Sequence, residues 1–239
     1  MRVWVSRAEP EAQATAERLR RRGHEPLVAP VLDIQGLPCE VDLEGVAALA
    51  FTSRNGVREF PAAAEASALP VFAVADATAD AARAAGFGDV RTGPGDGAAL
   101  AGMIVEQFDP ASGVLLVARA DEPAFDLEGA LTAAGIEVRT AIVYESIPIV
   151  PETEVRRWLA DDPPMEAVLV HSRRAASQVA RLLTEKRGRD RVTACCISES
   201  AAKPLRTIGL KAVLAAAFPN EASLLKLLGD PPEAAQEGP

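Results

Sequence analysis

Small polar side chains follow two apolar runs of this sequence, at points where a strand gives way to a helix. Ser53 and Asn55 follow the run AALAF, and Ser172 follows the run VLV by one residue. Hydroxyl and amide groups beside the N–H groups of a starting helix can bind an anion. The other interpretation is that Ser53 only caps the helix, and the segment by itself favours that interpretation.

Two arginines and the only tyrosine complete the groups able to do chemistry. Arg7 and Arg119 end equivalent predicted strands, where a guanidinium can bind a substrate carboxylate. Each arginine can instead form a salt bridge, Arg7 with Glu9 and Arg119 with Asp121. Tyr144 lies in the run TAIVYE, where its phenol suits a neutral proton donor. An amphipathic residue filling a domain interface is an equally good interpretation of Tyr144.

Histidines and cysteines offer little chemistry. His24 and His171 are the only histidines, and neither lies in a cluster with metal-ligand spacing, so we predict no metal site. Neither shows a partner for a nucleophilic triad, and we expect His171 to pack beside its strand end. The remaining candidates, Cys39, Cys195 and Cys196, are too few for a disulfide framework.

The stretch GPGDGA, residues 93–98, fits the letters of a dinucleotide-binding loop. No acidic residue follows at the position expected for ribose, and no lysine follows for a triphosphate. A loop that holds a carboxylate at a helix start is the better interpretation. A nucleotide-dependent enzyme therefore remains only a third hypothesis.

Composition narrows the class of protein. The chain has 239 residues, is 49% hydrophobic and carries a formal net charge of −9. These values predict a folded globular protein without a nucleic-acid surface, and no apolar run is long enough for a membrane span. The start MRVWVSRAEP lacks a signal-peptide core, so we expect a cytoplasmic protein. The tail, residues 230–239, is rich in Pro, Gly and Glu and is predicted to be disordered.

Strand and helix patterns alternate along the whole chain, which predicts an α/β protein with parallel sheets. The chain also resembles itself. VWVSRAEPEA matches LLVARADEPA, LAFTSRNGV matches VLVHSRRAA, and FAVADATADAARAAGF matches CCISESAAKPLRTIGL, so Arg7 aligns with Arg119, Ser53 with Ser172, and Thr78 with Ala201. The chain therefore contains two copies of one unit.

The order of the matching pieces predicts that one domain is inserted into the other. The split domain takes residues 1–34 and 147–229, and the inserted domain takes residues 37–144. Two strands, near VLDIQ and YESIP, must cross between them as a two-stranded β linker. Paired crossings predict a hinge, and a cleft between domains is a common place for a ligand.

Taken in order, these pieces resemble the uroporphyrinogen-III synthase family over nearly the whole chain before the tail. The resemblance rests on the opening strand ending in Arg7, FTSRNGV, VADATA, AIVYE after the helix that precedes Gly135, VLVHS, CISESAA, Gly209 and FPNEASLLKLL. It implies two α/β domains, no cofactor, and a cyclising hydro-lyase. Linear hydroxymethylbilane would lose water, invert its terminal ring through a spiro intermediate and close as uroporphyrinogen III.

The resemblance also implies roles for individual residues. Tyr144 matches the tyrosine thought to assist departure of the hydroxyl, and Thr78 matches the threonine of a family turn. The implied substrate-binding residues are Arg7, Ser53, Asn55, Thr78, Arg119, Ser172, Ser198 and Ser200. We expect a monomer in transient contact with hydroxymethylbilane synthase, with no nucleic-acid or membrane partner.

Four positions depart from the family pattern. Ala75 and Ser198 replace the usual glycines, Ala120 replaces a glycine after Arg119, and Ala201 stands where threonine is frequent. A Cβ at the first two positions narrows the space for close backbone approach. These departures motivate an alternative, a non-catalytic protein of the same fold that binds tetrapyrroles or other acidic ligands.

Overall fold

A computed structural model describes residues 1–229, so the predicted disordered tail lies outside the described residues. The strands are β1 (Arg2–Val5), β2 (Glu25–Val28), β3 (Leu32–Gly36), β4 (Val46–Phe51), β5 (Val71–Ala73), β6 (Val90–Thr92), β7 (Val114–Ala120), β8 (Val138–Pro148), β9 (Ala167–Val170), β10 (Thr193–Cys196) and β11 (Ala212–Ala215). The α-helices are α1 (Glu11–Arg21), α2 (Arg54–Arg58), α3 (Asp76–Ala84), α4 (Gly97–Gln107), α5 (Leu127–Ala133), α6 (Glu152–Ala160), α7 (Arg173–Leu183), α8 (Glu199–Ala202) and α9 (Glu221–Lys226).

The chain divides into two compact units. The split unit contains Met1–Asp33 and the chain from Ile147 onward, and the inserted unit is Ile34–Ser146. The connections run through β3 and β8, which are neighbours at the edge of one sheet. The α/β class, the insertion and the two-stranded linker are as the sequence predicts.

The two sheets have one topology. The split unit has the strand order β11-β10-β9-β1-β2, and the inserted unit has β6-β5-β4-β7-β8 followed by β3. Pairing β1 with β7 and β9 with β4 superposes the two orders, which is the pairing that the self-similarity predicts. The strand pairs within these five-stranded sheets are parallel.

The sheet of the split unit is buried on both faces. Trp4, Val168 and Cys196 point to one face, beneath α6, α7 and α8. Val5 and Cys195 point to the other face, beneath α1 and α9. Apolar side chains on both faces explain why these strands read as continuous apolar runs rather than as alternating ones.

The inserted unit repeats this arrangement. Leu49 and Phe51 of β4 pack with α2 and α3, and Ala48 and Ala50 of the same strand pack with α4 and α5. Helices cover both faces of such a sheet, so the loops at the carboxyl ends of its strands remain accessible to a ligand. The candidate residues lie at these strand ends.

The segment EPLVAPVLDI contains two strands. It breaks between β2 and β3, which belong to different sheets. Val31 N donates to Ser6 O at 3.0 Å and Ile149 N donates to Val31 O at 2.9 Å, so the break is held within the split unit. A chain that changes sheets must leave one ladder before it joins the next.

Candidate functional site

Strand order determines where a ligand crevice forms in each unit. The order reverses between β1 and β9 in the split unit, and between β7 and β4 in the inserted unit. In open parallel sheets, ligands bind at the carboxyl ends of the strands at such a switch point. Arg7, His171 and Ser172 follow the two strands at the first point, and Ser53 follows β4 at the second, where β7 ends at Ala120.

Ser53 both caps a helix and contacts the tyrosine. Its backbone is extended, with φ −161° and ψ 159°, and its Oγ accepts a hydrogen bond from Gly56 N at 3.0 Å. This is the N-cap interaction that the segment favours. The same Oγ lies 2.9 Å from Tyr144 Oη. The structure therefore brings together Ser53 and Tyr144, which are 91 positions apart in the sequence.

A register shift in β8 directs Tyr144 toward Ser53. Arg119 pairs with Ile142, but Ala120 pairs with Tyr144, so Val143 is an extra residue in the ladder. Without it, alternation would turn Tyr144 to the face of Ile142. Instead Val143 and Tyr144 join the same core cluster, on the side of α2. A bulge of this kind re-aims a side chain near a functional site.

Gly56 allows α2 to begin close to the sheet. A Cβ on Gly56 would lie 3.1 Å from Ala118 O of β7, tighter than nearly all ordinary contacts. Since β7 separates β4 from β8, this close approach helps Ser53 to reach across to Tyr144. The Asn-Gly pair after Ser53 thus has a packing reason as well as a turn preference.

Asn55 and Thr78 are less directly placed. Asn55 Oδ1 accepts a hydrogen bond from Arg58 Nη2 at 3.1 Å within α2. Thr78 is buried in the first turn of α3, where its N donates to Ala75 O at 3.0 Å. The substrate-binding roles implied for Asn55 and Thr78 stay predictions.

Arg119 shapes the loop after β7. Its Nε donates to Glu128 Oε1 of α5, and its Nη1 donates to the carbonyl oxygens of Ala120 at 2.6 Å and Asp121 at 3.0 Å. The salt bridge of Arg119 is therefore with Glu128 of α5, and the prediction of Asp121 as its partner was wrong. Glu128 is further away in the sequence and comes close only because α5 packs beside β7.

Arg7 belongs to a partly buried charge cluster in the split unit, the Glu221 cluster. Its Nη1 donates to Glu221 Oε2 at 3.0 Å and to Thr15 Oγ1 at 3.3 Å, so Glu9 is not its ion-pair partner. The same Glu221 Oε2 lies 3.1 Å from His171 Nε2, and Thr15 donates to Oε1 at 2.7 Å. Arg18 Nη1 is 3.7 Å from Oε1.

The surroundings keep Glu221 ionised. Burial opposes the charge, but hydrogen bonds from His171 and Thr15 and the positive charges of His171 and Arg7 outweigh it and lower the pKa of Glu221 to about 2. The sequence showed no partner for His171, and the structure places the Glu221 carboxylate beside it. The partner is 50 positions away in a motif, FPNEASLLKLL, to which no role was assigned.

Hydroxyls of the split unit cap helices. Ser172 Oγ accepts from Ala175 N at 3.1 Å, as Ser53 does in the matching helix, and Ser198 Oγ accepts from Ala201 N at 3.3 Å. Ser200 is exposed on α8. Ala75 and Ser198 both have extended backbones that accept a Cβ, so replacing the family's glycines leaves both turns intact.

Two amide donors of the GPGDGA loop are already used within the fold. Gly93 N donates to Ala73 O at 2.7 Å, and Gly95 N donates to Val74 O at 2.9 Å. The carboxylate of Asp96 already caps α4 by accepting from Ala99 N at 2.9 Å. Because this negative charge occupies the helix start, both the dinucleotide and the carboxylate-holding interpretations are disfavoured.

The remaining reactive residue types are buried. Desolvation raises the pKa of the Cys195 and Cys196 thiols to about 12, which makes them inert. Burial, with the positive charges of the N-terminus and Arg22, lowers the pKa of His24 and favours its neutral form. Within residues 1–229 no three histidine, cysteine or carboxylate side chains gather to hold a metal ion. Over the same residues, no helix has the length and apolar character needed to cross a membrane.

The arrangement in the inserted unit suits proton donation. Tyr144 is 7% exposed. Its phenol lies within hydrogen-bond distance of the Ser53 hydroxyl, which in turn accepts a hydrogen bond from the Gly56 amide. In the split unit, the Glu221 cluster places an arginine and a histidine side chain at adjacent strand ends. Sequence reasoning missed His171 and Glu221 as partners because only the packing of α9 beside α1 joins them.

Comparisons with known proteins identify the family and the fold. The family model described as HEM4, uroporphyrinogen-III synthase HemD, matches residues 13–226. The search of curated proteins gave no match. A solved uroporphyrinogen-III synthetase from Helicobacter pylori is 21% identical, with a TM-score of 0.66, over 95% of this chain and 97% of that one. A mutant uroporphyrinogen III synthase from Thermus thermophilus is 19% identical, with a TM-score of 0.57, over 96% of both chains. These two likenesses establish the fold.

Proposed function

We propose that the chain, since it belongs to the uroporphyrinogen-III synthase family, is a cyclising hydro-lyase that converts linear hydroxymethylbilane into uroporphyrinogen III. Membership of this family makes it an enzyme of tetrapyrrole and haem biosynthesis. The observation that carries the proposed chemistry is the 2.9 Å contact between Tyr144 Oη and Ser53 Oγ. It lies at the edge of the sheet where β4 ends and where Tyr144 pairs with Ala120, the last residue of β7.

Tyr144 acts as the general acid in this proposal. The electron-rich terminal pyrrole expels the hydroxyl of its methylene group, the C–O bond breaks, and the phenolic proton leaves with the hydroxyl as water. The resulting azafulvene reacts with the ring at the other end of the chain, through the spiro intermediate that inverts this ring. The proton released when the last pyrrole regains aromaticity restores the phenol. Overall, the substrate loses one water and gains one ring.

The protein also has to hold the chain in the fold that yields the inverted isomer. Positioning of this kind supplies much of a catalyst's effect when the reaction itself is intramolecular. We assign substrate carboxylates to the strand-end donors, namely Arg7, Ser53, Asn55, Thr78, Arg119, Ser172, Ser198 and Ser200. Their location at the ends of parallel strands and the starts of helices supports this assignment.

A coupled assay tests the reaction. Hydroxymethylbilane synthase generates the unstable substrate in the presence of this protein, and the oxidised products are resolved into isomers I and III. We expect mainly isomer III. Isomer I at the uncatalysed level, from a folded sample, would exclude the enzyme and favour the non-catalytic binding protein.

Replacing the proposed acid tests its role. We expect Tyr144→Phe to lower kcat by about a hundredfold or more, because a positioned general acid contributes a factor of that order. Thermal unfolding should change little, since the variant loses one hydrogen bond, about 1 kcal/mol. Wild-type turnover in Tyr144→Phe would remove the assignment.

We further propose a cytoplasmic monomer that takes its substrate from hydroxymethylbilane synthase in transient contact. All three cysteines are free thiols, as is usual for proteins of a reducing compartment. Sedimentation of the protein with and without the synthase measures both the oligomeric state and the contact.

A further inference from the structure

The hydrogen bonds of Ser53 assign this residue a second role, in addition to the substrate binding proposed above. Its Oγ accepts from Gly56 N at 3.0 Å and lies 2.9 Å from Tyr144 Oη. We propose that Ser53 is a positioning residue, whose hydroxyl donates a hydrogen bond to the phenolate oxygen formed when Tyr144 protonates the leaving hydroxyl. This inference rests on the proposed acid role of Tyr144 and specifies what makes the phenol effective.

Geometry leaves Ser53 ready to donate. A hydroxyl has one proton and two lone pairs, and the Gly56 amide takes one of the lone pairs. The amide cannot move without breaking the first turn of α2, so it holds Oγ in one place. Once Tyr144 has lost its proton, its oxygen can only accept, and Ser53 is then the donor.

Tyr144 cannot turn away from this partner. The extra residue Val143 directs the ring to the face of α2, and Asp121 N donates to Tyr144 O at 2.9 Å. Tyr144 also shares one core cluster with Val57 of α2 and Phe51 of β4, and this packing limits the movement of its ring. The phenol oxygen therefore lies beside Ser53 both before and after it loses its proton, so the site does not have to reorganise during the reaction.

The burial of Tyr144 makes the donor matter. The residue is 7% exposed, so water does not fully solvate a phenolate at this position. A hydrogen bond to an ionised oxygen is about twice as strong as one between neutral groups. The charged side chains on the adjoining elements are Asp33 of β3, Arg54 and Arg58 of α2 with Glu59 after it, Asp76, Asp80 and Arg83 of α3, Arg119 of β7 with Asp121 after it, and Arg139 and Glu145 of β8. None of these charged residues is replaced in the variants described below.

Kinetics of four proteins provide the first test: wild type, Ser53→Ala, Ser53→Thr and Asn220→Ala. We expect Ser53→Ala to lower kcat by about tenfold to a hundredfold with KM changed less than about threefold. Ser53→Thr keeps a hydroxyl and a cap and should retain most of kcat. Asn220 belongs to the split unit and caps α9 by accepting from Ser223 N at 2.8 Å, so Asn220→Ala controls for the loss of a helix cap.

A second measurement does not depend on turnover. Tyr144 is the only tyrosine of the chain, so the ultraviolet absorbance of phenolate reports on this residue alone. Removing a donor to the phenolate should move the titration midpoint to higher pH in Ser53→Ala, whereas Ser53→Thr and Asn220→Ala should titrate like wild type. If Ser53→Ala unfolds, Ser53→Gly replaces it, because glycine is a tolerated N-cap.

The outcomes separate the two proposals. No isomer III from wild type would end the proposed function, and the absorbance titration would still test the Ser53 contact. Normal kcat in Ser53→Ala, or a raised KM as the only effect, would overturn the positioning role and return Ser53 to substrate binding. Equal losses of kcat in Ser53→Ala and Asn220→Ala would show that Ser53 acts only as a helix cap.

Discussion

Arg7 and Arg119 occupy equivalent places in the two units, and each pairs with a glutamate from a helix. Arg7 meets Glu221 of α9, and Arg119 meets Glu128 of α5. The sequence predicted the strand-end position of both arginines and an ion pair for each. It did not predict the partners, because the long arginine side chain pairs with whichever carboxylate the packing of helices brings near. Their role toward substrate carboxylates stays a prediction.

At the residue scale, we expect Glu221→Gln to destabilise the split unit at neutral pH by about 3 kcal/mol, from a pKa lowered from 4.5 to about 2. The sign follows from proton binding. Between pH 4.5 and 2 the unfolded chain binds this proton and the folded chain does not, so the contribution is present above pH 4.5 and is lost as the pH falls toward 2. Urea unfolding of both proteins at about pH 7 and about pH 3 measures the difference.

A matched ion pair lies at the other end of the same strand. Arg2 Nη1 is 3.0 Å from Asp161 Oδ2, the same distance as in the Arg7 pair, and both arginine side chains are 14% exposed. Asp161 is more exposed than Glu221, so Asp161→Asn should cost less than about 1 kcal/mol. Equal losses in the two variants would contradict the special stability of the Glu221 cluster.

At the scale of elements, the register of β8 decides which way the only tyrosine points. Alternation in TAIVYE predicts opposite faces for Val143 and Tyr144, yet both lie in one core cluster. A bulge depends on how one strand fits its neighbour, so it cannot be read from the strand alone. Element types and their order were predictable, whereas this one-residue shift was not.

The start of β7 offers a test at the same scale. Gly113 has φ +137°, and a Cβ there would lie 2.5 Å from Gly45 O, the carbonyl that accepts from Val114 N. We expect Gly113→Ala to destabilise the protein by about 2–4 kcal/mol, since both the backbone conformation and the contact oppose a side chain. Thermal and urea unfolding measure this loss.

Gly102 is the control. It lies inside α4 with open space around its would-be Cβ, so Gly102→Ala should be neutral or stabilise by up to about 1 kcal/mol, because alanine favours helices. Opposite signs at the two glycines are the expected result. A stabilising Gly113→Ala would show that β7 begins differently.

At the scale of the whole molecule, each unit carries its own core on both faces of its own sheet. Cores of this kind allow a unit to fold by itself. We expect a protein of residues 34–146 to give helical and strand circular dichroism and a cooperative thermal transition. Residues 1–33 alone should stay unfolded, because β1 lacks β9, its partner in the sheet. A non-cooperative 34–146 would contradict the predicted domain boundaries.

The sequence alone determined the α/β class, the two similar units, the insertion, the linker strands and the family, because these depend on local periodicity and on the order of short motifs. It also singled out Ser53 and Tyr144 as separate candidates. Only the tertiary structure decided that the two touch, that Arg7 shares Glu221 with His171, and that Asp96 occupies the helix start of the glycine-rich loop. The physical reason is reach: a hydrogen bond depends on side chains within about 3 Å, and residues distant in sequence come that close only through strand order, register and helix packing.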